Sequence, residues 1–251
     1  MISINLPTLS ATFLVAIRLS VLLVFSPIQA IRQLPLHTRL ILVLMLSVML
    51  VSNLSLSASN INELSLISGA FIEFSNGLIL SLSLYAAFAV FQIAGQLIDT
   101  QMGLNSLAIF NPGDHSHDPL TSRLLTMLAV LFFFALNGHH WLLEGLAYSF
   151  RKNPPGDFAL INGFSLLVHQ FSLMFALALM IASPVYLALL VIDISTAVLT
   201  RNMPQVSTYF LALPVKILSG FLLLALSLNY LNPLMEYLFR QCFKLWQELL
   251  A

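Results

Sequence analysis

Long apolar runs alternate with short polar breaks along this chain, and the breaks carry most of its Gly, Pro and charged residues. Pro7 and Thr8 stand where a helix would start, and the run Leu9 to Phe25 approaches the ~20 residues that cross a ~30 Å hydrocarbon core. Arg18 interrupts it, so that side chain is expected to face protein or water and not lipid. Residues 26–38 hold Pro27, Arg32, Pro35 and His37 and read as a connection; Leu40 to Leu56 follows as a clean apolar helix. The two runs predict a hairpin.

After a polar turn over 57–62, Leu64 to Thr100 is broken only by Glu73, Asn76, Gln92, Gln96 and Asp99. One helix of that length would extend roughly 55 Å, so it is expected to tilt, to break near Gly69 or Gly77, or to project beyond a bilayer. Gln92, Gln96 and Asp99 recur at steps of four and three, which predicts one polar face leading into the next break. That break, Gln101 to Pro119, is polar and interrupted by Gly and Pro between apolar segments.

Leu124 to Phe150 reads as helix throughout, ended by Arg151, Lys152, Pro154, Pro155 and Gly156. Leu160 to Ala182 and Pro184 to Leu199 read as a pair hinged at Pro184, with Asp193 in the second member, and Tyr209 to Leu231 follows. Beyond Pro233, Met235, Leu238, Phe239, Cys242, Leu245, Trp246 and Leu249 take one helical face and Glu236, Arg240, Lys244 and Glu248 the other. This predicts an amphipathic helix on an interface or a partner. The expected fold is all-α and polytopic, one domain of helical hairpins over 8–58, 64–150 and 160–231, with a loop at about 101–119 and the amphipathic helix at about 233–250. Hydropathy alone predicts six to eight spans.

Composition agrees with a membrane class: 59% of the 251 residues are hydrophobic, 8% are charged, and mean hydropathy is +0.94. Ten basic and ten acidic side chains cancel, which leaves no basic field for nucleic acid. Basic residues are too scattered to orient the chain by the positive-inside rule. The N-terminus lacks a basic region ahead of its apolar run and is expected to stay in the mature chain. Cys242 is the only cysteine, which excludes an internal disulfide and any multi-cysteine metal site, and its expected role is packing.

Candidate chemistry is sparse. Asp114, His115, His117 and Asp118, with His139 and His140, offer metal-ligand atoms at spacings that match no zinc signature. Asp114 or Asp118 is instead expected to cap the helix after Pro119. No Gly-x-Ser-x-Gly or His-Glu-x-x-His occurs, and no cofactor is expected. Asp99, Glu144 and Asp193 have two readings, a proton or ion path and ion pairing with Arg18, Arg201 or Lys216. Phe110, between Ala108-Ile109 and Asn111-Pro112-Gly113, is an apolar loop tip that either packs on its own protein or forms a hydrophobic constriction.

The order of Arg18, Ser26-Pro27-Ile28 and Pro35, then QMGLNSLAIFNPG, FFFALNGHHWLL with YSF and PPG, and last ASPV and TRNMPQVSTYFLALPVK, resembles the flagellar export-gate family FliR and its type III secretion counterparts. The likeness spans essentially the whole chain. Its most specific pieces are Gln101-Met102-Gly103, Gly138-His139, and Arg201 with Pro204-Gln205 and Pro214 downstream. The resemblance implies a non-enzymatic subunit of a hetero-oligomeric gate in the bacterial inner membrane, at the flagellar basal body, beside FliP, FliQ and FlhB, through which unfolded flagellar proteins pass. It also implies that the loop is a plug with an aromatic tip at Phe110. Gln101, Met102, Gly103, Leu104, Asn105, Ile109, Phe110, Asn111, Pro112 and Gly113 would then form the gating element. Arg18, Gln92, Gln96, Asp99, Asp193, Arg201, Pro204, Gln205 and Lys216 would be subunit contacts or buried polar groups, and the outer faces would meet lipid. Asn111 departs from the family where an acidic residue can precede Pro-Gly. An injectisome homologue and a proton-coupled secondary transporter using Asp99 or Asp193 are the alternative expectations.

Overall fold

The computed structural model describes residues 6–54, 63–104, 119–156, 164–203 and 208–249. These form eight helices: α1 Leu6–Val24, α2 Gln29–Arg32, α3 Leu36–Leu54, α4 Glu63–Met102, α5 Leu120–Ala135, α6 Gly138–Lys152, α7 Phe164–Asn202 and α8 Thr208–Leu249. No strand occurs among the described residues, so the fold is all-α. Among the described residues five helices are long and apolar enough to cross a membrane, and α5 with α6 make a sixth candidate if counted as one. Six stands at the low end of the six to eight spans expected from hydropathy.

Helix α4 is continuous for 40 residues, about 60 Å, straight through Gly69 and Gly77. Gly77 serves close approach: a Cβ there would lie 2.8 Å from the Arg18 carbonyl oxygen on α1. Pro184 likewise lies inside α7, which runs through it as one helix. Proline removes the N–H that would bond the Met180 carbonyl, and Ser183 Oγ donates to that carbonyl at 2.9 Å in its place. Pro214 and Pro233 lie inside α8, which therefore joins the predicted apolar run and amphipathic helix into one element. The run over 124–150 errs in the opposite sense, because it is two helices. Asn137 turns the chain between α5 and α6 in the left-handed region, at φ 58°.

The chain divides into two compact units, Met1–Ala87 with Phe133–Ser172 and Leu238–Ala251, and Phe88–Phe132 with Leu173–Tyr237. In the first, α1 packs on α3. The apolar face of the C-terminal part of α8 is buried there through Leu238, Phe239, Cys242, Leu245 and Trp246, while Arg240, Lys244 and Glu248 stay exposed. The expected amphipathic face thus exists but is covered by this chain, not by a partner. Ser83 fastens it: Trp246 Nε1 donates to Ser83 Oγ at 3.0 Å, Ser83 Oγ donates to Gln170 Oε1 at 2.8 Å, and Gln170 Nε2 donates to the Ser83 carbonyl at 3.0 Å. Phe133 and Phe239 pack edge to face at 5.4 Å in the same unit. The second unit contains the end of α4, the start of α5 and the facing parts of α7 and α8, which together make up the candidate site.

Candidate functional site

Each residue of Gln101-Met102-Gly103 has a separate structural task. Gly103 ends α4: at φ 77° it adopts the left-handed conformation that glycine tolerates. Leu104 N donates to the Asp99 carbonyl at 3.1 Å and Gly103 N to the Thr100 carbonyl at 3.2 Å, the paired bonds that close a helix C-terminus. Met102 is fully buried, with its Sδ 4.0 Å from Thr121 Oγ1. A Cβ on Gly220 would come within 2.1 Å of Met102 Cε, so that glycine makes the room the thioether occupies. Gln101 reaches sideways, where its Nε2 donates to Asp193 Oδ2 at 2.8 Å.

Asp193 uses its other oxygen in an ion pair with Lys216. One carboxylate on α7 thereby joins the last turn of α4 to the first part of α8. The carboxylate is partly open, at 39% exposure, beside a cavity of about 310 Å³ lined by Gly103, Asp193, Thr196, Thr200, Leu213 and Lys216. Of the two readings of Asp193, this geometry is the ion-paired one, with Lys216 as the cation.

Asp99 has partners that the sequence did not suggest. It is fully buried, and its two oxygens accept the backbone N–H groups of Thr121 and Ser122, each at 3.0 Å. These donors belong to the first turn of α5, where an N-cap side chain would bind. Among the described residues the cap of these two donors comes from α4, while Asp114 and Asp118 lie outside the described residues. Pro119 stands just ahead of the first helical residue, Leu120. The predicted polar face is also corrected: Gln92 and Gln96 are exposed, whereas Asp99 points with Gly95, Ile98 and Met102 into the packed side. Gln92 and Asp99 lie only about 20° apart round the helix, so helical period alone does not separate them; Asp99 is buried because the start of α5 packs over that end of α4.

Arg18 belongs to the other unit. It is fully buried against Glu73 with Ser149, Asn153 and the Phe150 ring around it. Arg201 and Glu144 are exposed. Asn105, Ile109, Phe110, Asn111, Pro112, Gly113, Pro204 and Gln205, with Asp114, His115, His117 and Asp118, lie outside the described residues. No group of three or more His, Cys, Asp or Glu is placed to hold a metal among the described residues.

Residues that sequence reasoning passed over include Glu73, Gly95, Thr121 and Ser122. Gly95 had a legible signal, because Gly95, Asp99 and Met102 are spaced four and three along one face of α4. Glu73 had none, since its partner is 55 residues away.

Residues 9–242 match the family described as bacterial export proteins, family 1. The chain is 29% identical over 236 residues to the flagellar biosynthetic protein FliR of Escherichia coli (strain K12), covering 94% of this chain and 90% of that protein. It is 34% identical over 176 residues to the protein of the same name from Pectobacterium carotovorum subsp. carotovorum, covering 70% and 67%. It is also similar to Yop proteins translocation protein T of Yersinia pestis, 27% identical over 153 residues, covering 60% and 59%.

Proposed function

The chain belongs to the bacterial export proteins, family 1, and from that premise we propose that it is a non-enzymatic membrane subunit of a flagellar type III protein export gate. The observation that carries this reading is the nearly end-to-end likeness to flagellar biosynthetic protein FliR, over 94% of this chain. Its partners are FliP-, FliQ- and FlhB-like membrane proteins of the bacterial inner membrane, at the flagellar basal body. Its cargo is unfolded flagellar protein. The outer faces support a membrane assembly: on α7 alone, Phe175, Leu179, Met180, Leu187, Val191, Ile194 and Val198 are exposed. That stripe extends about 35 Å at 1.5 Å per residue, slightly more than a ~30 Å hydrocarbon core covers. Neighbouring apolar subunits would cover the remainder.

Within that gate the segment after Gly103 acts as the seal, with Phe110 as its apolar tip. A hydrophobic constriction blocks water and ions while yielding to a larger passenger. Support comes from the way α4 is stopped at Gly103, which starts the segment at a fixed point. Arg201, exposed at the end of α7, fits a contact with a neighbouring subunit.

Deleting Asn105 to Pro112 in cells that assemble the complex tests this directly. Export should continue while the membrane becomes permeable to ions. An intact barrier in the deletion strain would overturn the seal, and failure to co-purify with FliP- and FliQ-like proteins would overturn the assembly.

A further inference from the structure

The two ends of the 103–119 segment are held together by one side chain. Asp99 sits in the last turn of α4, and Thr121 and Ser122, whose N–H groups it accepts at 3.0 Å each, sit 22 and 23 residues later in the first turn of α5. A carboxylate buried to this degree is costly unless its charge is answered. Two charge-assisted bonds and the positive end of the α5 dipole answer it here. Pro119, at the N-cap position, has no side-chain acceptor of its own, so the cap of α5 is provided by another helix.

Neighbouring contacts extend this tie along one face of α4. A Cβ on Gly95 would lie 2.2 Å from Ser122 Cα, so the two backbones touch there. Ser122 Oγ donates to the Gln92 carbonyl at 3.1 Å, and Met102 Sδ meets Thr121 Oγ1. Residues 92, 95, 99 and 102 thus present a continuous docking strip for the start of α5. We propose that Asp99 is a positioning residue for the two ends of the 103–119 segment: its carboxylate fixes the start of α5 relative to the end of α4 at Gly103. The functional part of this proposal rests on the segment being the seal of an export gate.

A cap alone and a cross-tie make different predictions, and a second substitution separates them. Asp99→Ala removes both. Asp99→Ala with Pro119→Asp restores an acceptor at the N-cap of α5 but not the link to α4. In the assembled complex, Asp99→Ala should raise amide exchange at Thr121 and Ser122 by roughly five- to tenfold, the size of a lost cap, and should admit ions. The double variant should recover the exchange protection and the yield of complex, yet still leak. Should Asp99→Ala fail to accumulate, the double variant carries the test by itself.

Unchanged exchange in Asp99→Ala would overturn the tie itself. A double variant that regains both protection and a tight membrane would reduce Asp99 to a helix cap and overturn the positioning role. If neither Asp99→Ala nor the 105–112 deletion leaks, the seal reading fails, and the exchange measurement still decides whether Asp99 holds the two ends together.

Discussion

Arg18 and Glu73 face each other with both side chains shut off from solvent: Nε lies 2.5 Å from Oε2 and Nη2 lies 2.9 Å from Oε1. The remaining valences are also used. Nη1 donates to Ser149 Oγ at 2.7 Å, Glu73 Oε1 accepts the Gly156 N–H at 2.9 Å, and the guanidinium carbon lies 4.3 Å from the centre of the Phe150 ring. This bidentate pair explains how an arginine sits in the middle of an apolar helix.

Removing one member leaves the other charge buried and unanswered. Glu73→Leu should therefore cost about 3–5 kcal/mol, while adding Arg18→Met to it should recover much of that loss. Thermal unfolding of the detergent-solubilised chain, taken as a double-mutant cycle, checks this. Additive single-variant effects would rule out the pairing as the cause.

Asp193 and Lys216 form a more exposed pair and should matter less. Asp193→Asn keeps an acceptor for Gln101 but removes the charge, and its effect on stability should stay within about 1 kcal/mol. The same variant separates an export subunit from a proton-coupled transporter. Small-solute uptake should be indifferent to it, and a proton-dependent uptake abolished by Asp193→Asn would favour the transporter.

Cys242 is fully buried beside Ser83 and Gln170, with Trp246 bonded to the same serine. A maleimide should leave it unlabelled in the folded chain and modify it completely after denaturation. Rapid labelling of the native protein would mean that the C-terminal part of α8 detaches readily.

Asn137 holds a left-handed backbone at φ 58°, between α5 and α6. Asn137→Gly should fold at least as well, whereas Asn137→Val should lose about 1–2 kcal/mol because a β-branched side chain crowds that conformation. Melting temperatures of the two variants test the assignment. Equal stability would show that the turn relaxes.

Much of the helix pattern was legible because helical hydrogen bonds are local and the apolar runs are long. The all-α class, the position of Arg18 within α1 and the two faces of the C-terminal helix all follow from composition and spacing. Errors at the breaks share one cause. Gly69, Gly77, Pro184 and Pro233 carry breaking signals, but α4, α7 and α8 run through them. A glycine weakens a helix by only ~1 kcal/mol, and packing or a substitute donor such as Ser183 offsets what proline removes.

Sequence alone determined that this chain is an apolar, helical protein of a recognisable family with a polar break expected from Gln101, whereas the structure carries α4 through Gln101 and Met102 before Gly103 ends it. Only the tertiary structure decided what its charged groups do: Arg18 finds Glu73 across 55 residues, Asp193 finds Lys216, and Asp99 caps α5 from 22 residues away. Helical period predicts which side of a helix a residue occupies. Which other helix meets that side is a long-range choice, set by where small residues such as Gly77 and Gly95 let backbones touch and by the need to answer every buried charge.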